Sequence, residues 1–110
     1  MNRGLVIKEN AAQRYTTDAF SRAVFLEVCR KAGVPTQVFA NRSDMAGGGT
    51  LGNISNVQVS QHAVDIGIAQ LAMHSSYEVS SINDIYELYK MMRAFYKSKI
   101  TKIKDEIIIK

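Results

Sequence analysis

The chain has 110 residues, one ordinary domain's length, and this argues against a multidomain enzyme. With 46% hydrophobic and 22% charged residues it is neither disordered nor fibrous, and no run approaches the ~20 apolar residues of a membrane span. The net charge of +4 is uneven: residues 1–89 carry seven basic and eight acidic groups, whereas residues 90–110 carry seven basic and two acidic ones. The basicity therefore belongs to the lysine-rich end. It is read as a solvated helix face, not as a nucleic-acid surface. No basic start followed by an apolar stretch is visible, so no secretory leader is expected. A single cysteine, Cys29, precludes an internal disulfide and suits a reducing, cytoplasmic location.

Leu5-Val6-Ile7 reads as a first strand. Thr16 or Thr17 can cap a helix, with Asp18 favourably placed at its positive N-terminal end. Phe20, Val24 and Val28, with Ala19, Ala23 and Leu26 beside them, predict its apolar face. Gly33 and Pro35 end that helix. Gln37 to Ala40 is a second strand, and the polar, glycine-rich stretch Asn41 to Gly49 follows. Thr50 to Asn56 predicts a short helix, since Leu51 and Ile54 share a face. Ala63 to Ile68 is nearly all apolar, which suits a strand covered on both faces. Ser81 and Asp84 resemble a capping box. Ile82, Ile85, Tyr89, Met92, Tyr96 and Ile103 then continue a helical stripe almost to the end.

The resulting order, β-α-β-α-β-α, predicts an α/β fold with a mostly parallel sheet and helices on its faces. Three strands make a thin sheet, and buried parallel strands need neighbours on both sides. The chain is therefore read as part of a larger sandwich.

Ligands of open α/β sheets bind beyond the carboxyl ends of the strands. Three segments occupy that position. Lys8 follows the first strand, with Asn10, Gln13, Arg14 and Tyr15 behind it, and can meet an anionic group as a point charge. Its plain alternative is an exposed lysine without a role. The run Asn41 to Gly52 places consecutive glycines before a helix, where backbone N–H groups can approach an anion. It matches neither a phosphate-binding P-loop nor GxGxxG, so a flexible loop explains it equally well. His74, in Leu71-Ala72-Met73-His74-Ser75-Ser76, is a possible zinc ligand, although a lone histidine is more often a surface residue. His62 precedes its strand and lies at the opposite end. Asp65, inside an apolar strand, demands a hydrogen-bond or charge partner and is assigned a structural role. Cys29 is expected to be packed, and Met91, Met92, Tyr86, Tyr89 and Tyr96 to be core or interface.

Taken together these segments resemble a known family. The blocks are Gly4-Leu5-Val6-Ile7-Lys8 with Asn10, Gln13-Arg14-Tyr15-Thr16, Gly33-Val34-Pro35 with Gln37 and Phe39, and Asn41-Arg42-Ser43-Asp44-Met45 with Gly48, Thr50, Leu51 and Gly52. Val64-Asp65-Ile66-Gly67, Gln70-Leu71-Ala72-Met73-His74-Ser75 and Ala94-Phe95-Tyr96 complete the set. In this order and spacing the chain resembles the C-terminal part of the aspartyl aminopeptidase family of zinc metallopeptidases, which includes vacuolar aminopeptidases.

The resemblance implies removal of single N-terminal residues, often acidic, from peptides. It also implies two zinc ions, a three-layer α/β/α sandwich and a tetrahedral dodecamer. By the same resemblance His74 is a zinc ligand, Lys8 faces an acidic substrate side chain and Tyr15 lines that pocket. Gly48, Gly49, Thr50 and Met73 then stand near the substrate. Two metals in such a site activate water and polarise the scissile carbonyl. Gly47-Gly48-Gly49-Thr50 and Gly52-Asn53 depart from the family's Cys-Gly-Ser-Thr and Gly-Pro, removing a serine hydroxyl. The family's other metal ligands and its general-base glutamate lie upstream of the matching region.

The expectation is thus a metallopeptidase segment over residues 1–96 with a lysine-rich helical extension over 97–110. It would supply one ligand for zinc and be inactive alone. Peptide substrates and further copies of the chain are its expected partners, with no nucleic acid and no membrane. The alternative is a non-catalytic oligomerisation or interaction fragment acting through its last helix and Ile107-Ile108-Ile109. A third, weaker option is anion or nucleic-acid binding by the lysine tail.

Overall fold

A computed structural model describes residues 1–10, 15–40, 49–104 and 106–110. Its centre is β1 (Leu5–Glu9), whose alternate residues Leu5 and Ile7 are fully buried. They pack with Phe25, Val28, Cys29, Val34 and Met91 to form the core. The connection into β1 is tight. Gly4 has φ 94°, and a Cβ there would stand 2.0 Å from the Pro35 carbonyl oxygen, so only glycine fits.

Helix α1 (Ala19–Ala32) crosses to β2 (Thr36–Ala40), which pairs parallel with β1 from Leu5↔Thr36 to Glu9↔Ala40. Asp18 is the N-cap, not Thr16 or Thr17. Its carboxylate accepts from Ser21 N–H at 2.7 Å, and Ser21 Oγ accepts from Asp18 N–H at 3.0 Å. Gly33, in the left-handed region at φ 69°, ends the helix as expected, and Val34 N–H reaches back to the Cys29 carbonyl at 2.9 Å. The buried face is rotated from the predicted one. Ser21, Phe25, Val28 and Cys29 are buried, while Ala19, Ala23 and Leu26 face solvent.

The third strand corrects the predicted topology. β3 (Ile66–Gly67) lies on the other side of β1 and runs antiparallel to it, so the sheet order is β2-β1-β3 and its orientation is mixed. Apolar composition reports burial, and it carries no information about direction. α2 (Leu51–Gln58) has no buried residue and does not pack as a crossover helix. After β3 the chain forms a small antiparallel pair, β4 (Gln70–Leu71) and β5 (Val79–Ser80).

Helix α3 (Ile82–Lys97) turns a different face inward from the one predicted. Asp84 and Met91 are buried and Leu88, Met92 and Ala94 pack on the core, whereas Ile82, Tyr89 and Tyr96 are exposed. The capping box does not form, because the Asp84 carboxylate accepts from Asn2 N–H (2.8 Å) and Gly4 N–H (3.2 Å) instead.

The helical extension is also corrected. The helix stops at Lys97, and residues beyond it form a hairpin of β6 (Ile100–Ile103) and β7 (Glu106–Ile109). Cross-strand partners in such a ladder share a face, which groups Ile100 and Ile109 with Lys102 and Ile107. That face meets the body: Ile109 packs on the core and Lys102 Nζ lies 5.0 Å from the Phe20 ring centre.

Candidate functional site

The C-terminal end of β1 gathers several of the residues singled out in the sequence. Lys8 is the fourth residue of β1, opposite Phe39 of β2. Its Nζ lies 5.8 Å from the centre of the Tyr15 ring, and its stem passes Gly67. Among the described residues no carboxylate is ion-paired with it. A half-buried cation beside an aromatic ring, with no anion paired to it among the described residues, suits an anionic guest.

Asp65, just before β3, holds this corner together. Its Oδ2 accepts from Thr16 N–H (2.8 Å), Thr16 Oγ1–H (3.1 Å) and Thr50 Oγ1–H (2.8 Å). Its carbonyl accepts from Lys8 N–H at 2.8 Å, and its own N–H donates to Thr17 Oγ1 at 2.9 Å. The partner demanded by a carboxylate in an apolar strand is therefore a pair of hydroxyls and a backbone amide. Thr50 is the N-cap of α2, yet its hydroxyl accepts no helix N–H and instead donates to Asp65. Gly52 makes the approach possible, since a Cβ there would stand 2.8 Å from Thr16 Cγ2 and 2.9 Å from its Oγ1. From the sequence Thr16 and Thr17 were read as helix-cap candidates and Gly52 as the end of the glycine-rich run, and none of the three was assigned a contact with Asp65. The only signal was that three small or hydroxylated residues flank segments pointing at the same strand ends.

Gly49 is exposed beside Thr50. Gly48 lies outside the described residues, as do Gln13, Arg14 and Asn41 to Gly47.

His74 belongs to a separate feature. It sits in the connection between β4 and β5, exposed, at φ 69°, with Ala72 also at positive φ (56°). Both conformations are uncommon for side-chain-bearing residues. The turn is held by its own bonds: His74 N–H donates to the Glu78 carboxylate, and Ser75 N–H to the Ala72 carbonyl at 3.0 Å. Met73 is exposed beside it. No hydrogen bond or ion pair among the described residues joins His74 to the Lys8–Asp65 corner. Nor do any three His, Cys, Asp or Glu side chains among them stand close enough to hold a metal ion. One exposed imidazole, with the neighbouring carboxylate bonded to its backbone, does not fit a zinc centre by itself.

Elsewhere, His62 Nδ1 lies 3.7 Å from Asp18 Oδ2 and its ring 4.2 Å from that of Phe20. The Ser21 amide, foremost, holds the Asp18 carboxyl below its ordinary value. Burial pushes the Cys29 thiol up to about 11, so it is packed and unreactive, as expected. An apolar cavity of about 400 Å³ between α1, α3 and β6 is lined by Phe25, Val64, Met91, Phe95 and Ile100 and carries no catalytic constellation.

With this geometry in place, likeness to known proteins becomes decisive. The model of the aminopeptidase I zinc metalloprotease family (M18) matches residues 1–96. The chain belongs to the M18 family. It is 46% identical over 96 residues to the probable M18 family aminopeptidase 2 of Clostridium novyi, covering 87% of this chain and 22% of that protein. The Pseudomonas paraeruginosa protein of the same description is 43% identical over 98 residues, at 89% and 23% coverage. The chain thus spans about a fifth of the length of these M18 relatives. Among solved structures, that of the Ape4 and Nbr1 complex superposes with TM-score 0.85 at 33% identity, covering 87% of this chain and 18% of that one. The crystal structure of prApe1 gives 0.83 at 29%, covering 87% and 20%. An M18 aminopeptidase from Thermotoga maritima gives 0.69 at 27%, covering 83% and 21%. M18 is a zinc metalloprotease family, and all of the match falls before the β6–β7 hairpin.

Proposed function

We propose that the chain is the C-terminal segment of a zinc aminopeptidase that removes acidic N-terminal residues from peptides. The observation that carries the acidic preference is Lys8, held beside Tyr15 at the end of β1 and without a carboxylate partner among the described residues. A lysine there rewards an aspartate or glutamate side chain by charge. In this reading His74 gives one zinc ligand to a two-zinc site whose remaining ligands come from outside residues 1–110, and Gly48, Gly49, Thr50 and Met73 stand near the substrate. Zinc supplies Lewis-acid and water-activating chemistry when bound. The chain alone is inactive.

Exposed apolar surface supports the view of a segment within a larger α/β/α sandwich and assembly. Leu51 and Val57 on α2 are each 81% exposed, and α3 offers Ile82, Tyr86 and Tyr89. Among the described residues no helix is long and apolar enough to cross a membrane. We place the protein in the cytoplasm, as a homo-oligomer of the dodecameric type.

Grafting residues 1–96 in place of the matching segment of the Clostridium novyi relative tests the reading. The chimaera should hydrolyse aspartyl and glutamyl nitroanilides, and His74→Ala should abolish turnover. Lys8→Ala should remove the acidic preference. Zinc-dependent turnover by the isolated chain would refute its inactivity. A folded, zinc-loaded chimaera that prefers neutral substrates would refute the role of Lys8. The same exposed faces favour a second reading, a non-catalytic assembly fragment. In that case the isolated chain forms defined oligomers and the chimaera stays inactive.

A further inference from the structure

We propose that Asp65 is the positioning residue of the substrate corner: it sets the Lys8–Tyr15 pair in place and links the start of α2 to it. This rests on the reading of Lys8 and Tyr15 as the acidic-side-chain contact. The argument is geometric. Lys8 N–H donates to the Asp65 carbonyl at 2.8 Å, which fixes the backbone from which the lysine side chain leaves β1. Thr16 N–H, part of the peptide unit that Tyr15 shares with Thr16, donates to Asp65 Oδ2 at 2.8 Å, which fixes the plane behind the tyrosine. One residue therefore grips both members of the pair, one with its main chain and the other with its side chain.

Thr50 Oγ1–H donates to the same Oδ2 at 2.8 Å and brings in the glycine-flanked start of α2. Two segments far apart in sequence, at Thr16 and Thr50, thus meet on one carboxylate oxygen. A carboxylate acceptor makes such bonds stronger than those to a neutral oxygen. The Gly52 backbone lies against Thr16, so the contact leaves no slack. Among the described residues every donor to the carboxylate comes from Thr16 or Thr50, the segments flanking Tyr15 and opening α2.

The test uses the intact chain in solution NMR. In the unaltered chain a proton contact between the Lys8 ε-methylene and the Tyr15 ring is expected, and free aspartate should shift both residues. Asp65→Asn and Thr50→Val should lose the contact and the aspartate response, while the β1–β2 amide resonances stay in place. Thr50→Ser, which keeps the hydroxyl, should restore both. A folded Asp65→Asn chain with the contact intact overturns the proposal. Where Asp65→Asn unfolds, an intact contact in Thr50→Val overturns it equally. Failure of the underlying reading looks different: aspartate then moves neither residue in the unaltered chain, whatever the contact does.

Discussion

Replacing Asp84 with alanine should remove a large part of this chain's stability. Asp84 lies in the first turn of α3, is 1% exposed, and accepts from Asn2 N–H at 2.8 Å and Gly4 N–H at 3.2 Å. It therefore ties the start of the chain to its longest helix. In the alanine variant Gly4 N–H is left buried without an acceptor, at a cost of about 1–3 kcal/mol. Asn2 is exposed and its amide returns to water, so only the net worth of that bond is lost, about 1 kcal/mol. Losing a negative charge from the first helical turn adds ~0.3–1 kcal/mol. The total is about 2–5 kcal/mol. At ~4–8 °C per kcal/mol for a domain of this size, the melting point should fall by about 10 °C or more. Thermal and urea unfolding followed by far-ultraviolet circular dichroism measures it. Asp84→Asn keeps one acceptor oxygen and should fall between parent and alanine. An alanine variant within ~0.5 kcal/mol of the parent would refute the reasoning.

Gly52→Ala should destabilise, although alanine is the better helix former by about 1 kcal/mol, because the new methyl meets Thr16 at 2.8 Å; urea midpoints give the sign. Asp18→Ala should cost about 1 kcal/mol through the lost cap, again by urea unfolding. The folded Asp18 carboxyl sits below its unfolded value near 3.8, foremost through the Ser21 amide. The parent's advantage over that variant is then full above that unfolded value, and it vanishes as pH falls through the lower folded one. Cys29 behaves oppositely: the thiol is held at about 11 when folded, against an ordinary 9.0, so its contribution is lost as pH rises through that window. Iodoacetamide at pH 8 should label it only as fast as the chain opens. Ile109→Asp should free the β6–β7 hairpin from the core, speeding amide exchange at Lys99 and Lys110, which now bond each other at 2.7 and 2.9 Å.

What the sequence made legible depended on how many constraints met at one residue. β1, α1 and β2 were readable in kind because two short apolar runs, the four-residue spacing between them and the Gly33–Pro35 stop agreed, although the cap is Asp18 and not Thr16 or Thr17. Asp65 was readable in kind, since a carboxylate in an apolar strand must find donors, but Thr16 and Thr50 lie far from it in sequence and could not be named as those donors. α3 misled because it carries two apolar stripes, and periodicity alone does not say which one meets the sheet. The stripe through Tyr89 and Tyr96 stayed outside, and the one through Leu88 and Met91 went in.

The hairpin was missed for a related reason. Ile103 continued a helical spacing, while Ile100, Thr101 and Ile107 to Ile109 are β-branched and favour strands. That second signal prevailed once the helix ended at Lys97, where Ser98 Oγ–H bonds the Ala94 carbonyl at 2.7 Å. The consequence reaches the function. The family match stops at residue 96, and beyond Lys97, the last residue of α3, the lysines lie on or beside a β-hairpin docked against α1, not on a helix. In the proposed reading the positive charge that bears on substrate choice is, among the described residues, that of Lys8, whose backbone N–H is bonded to the Asp65 carbonyl.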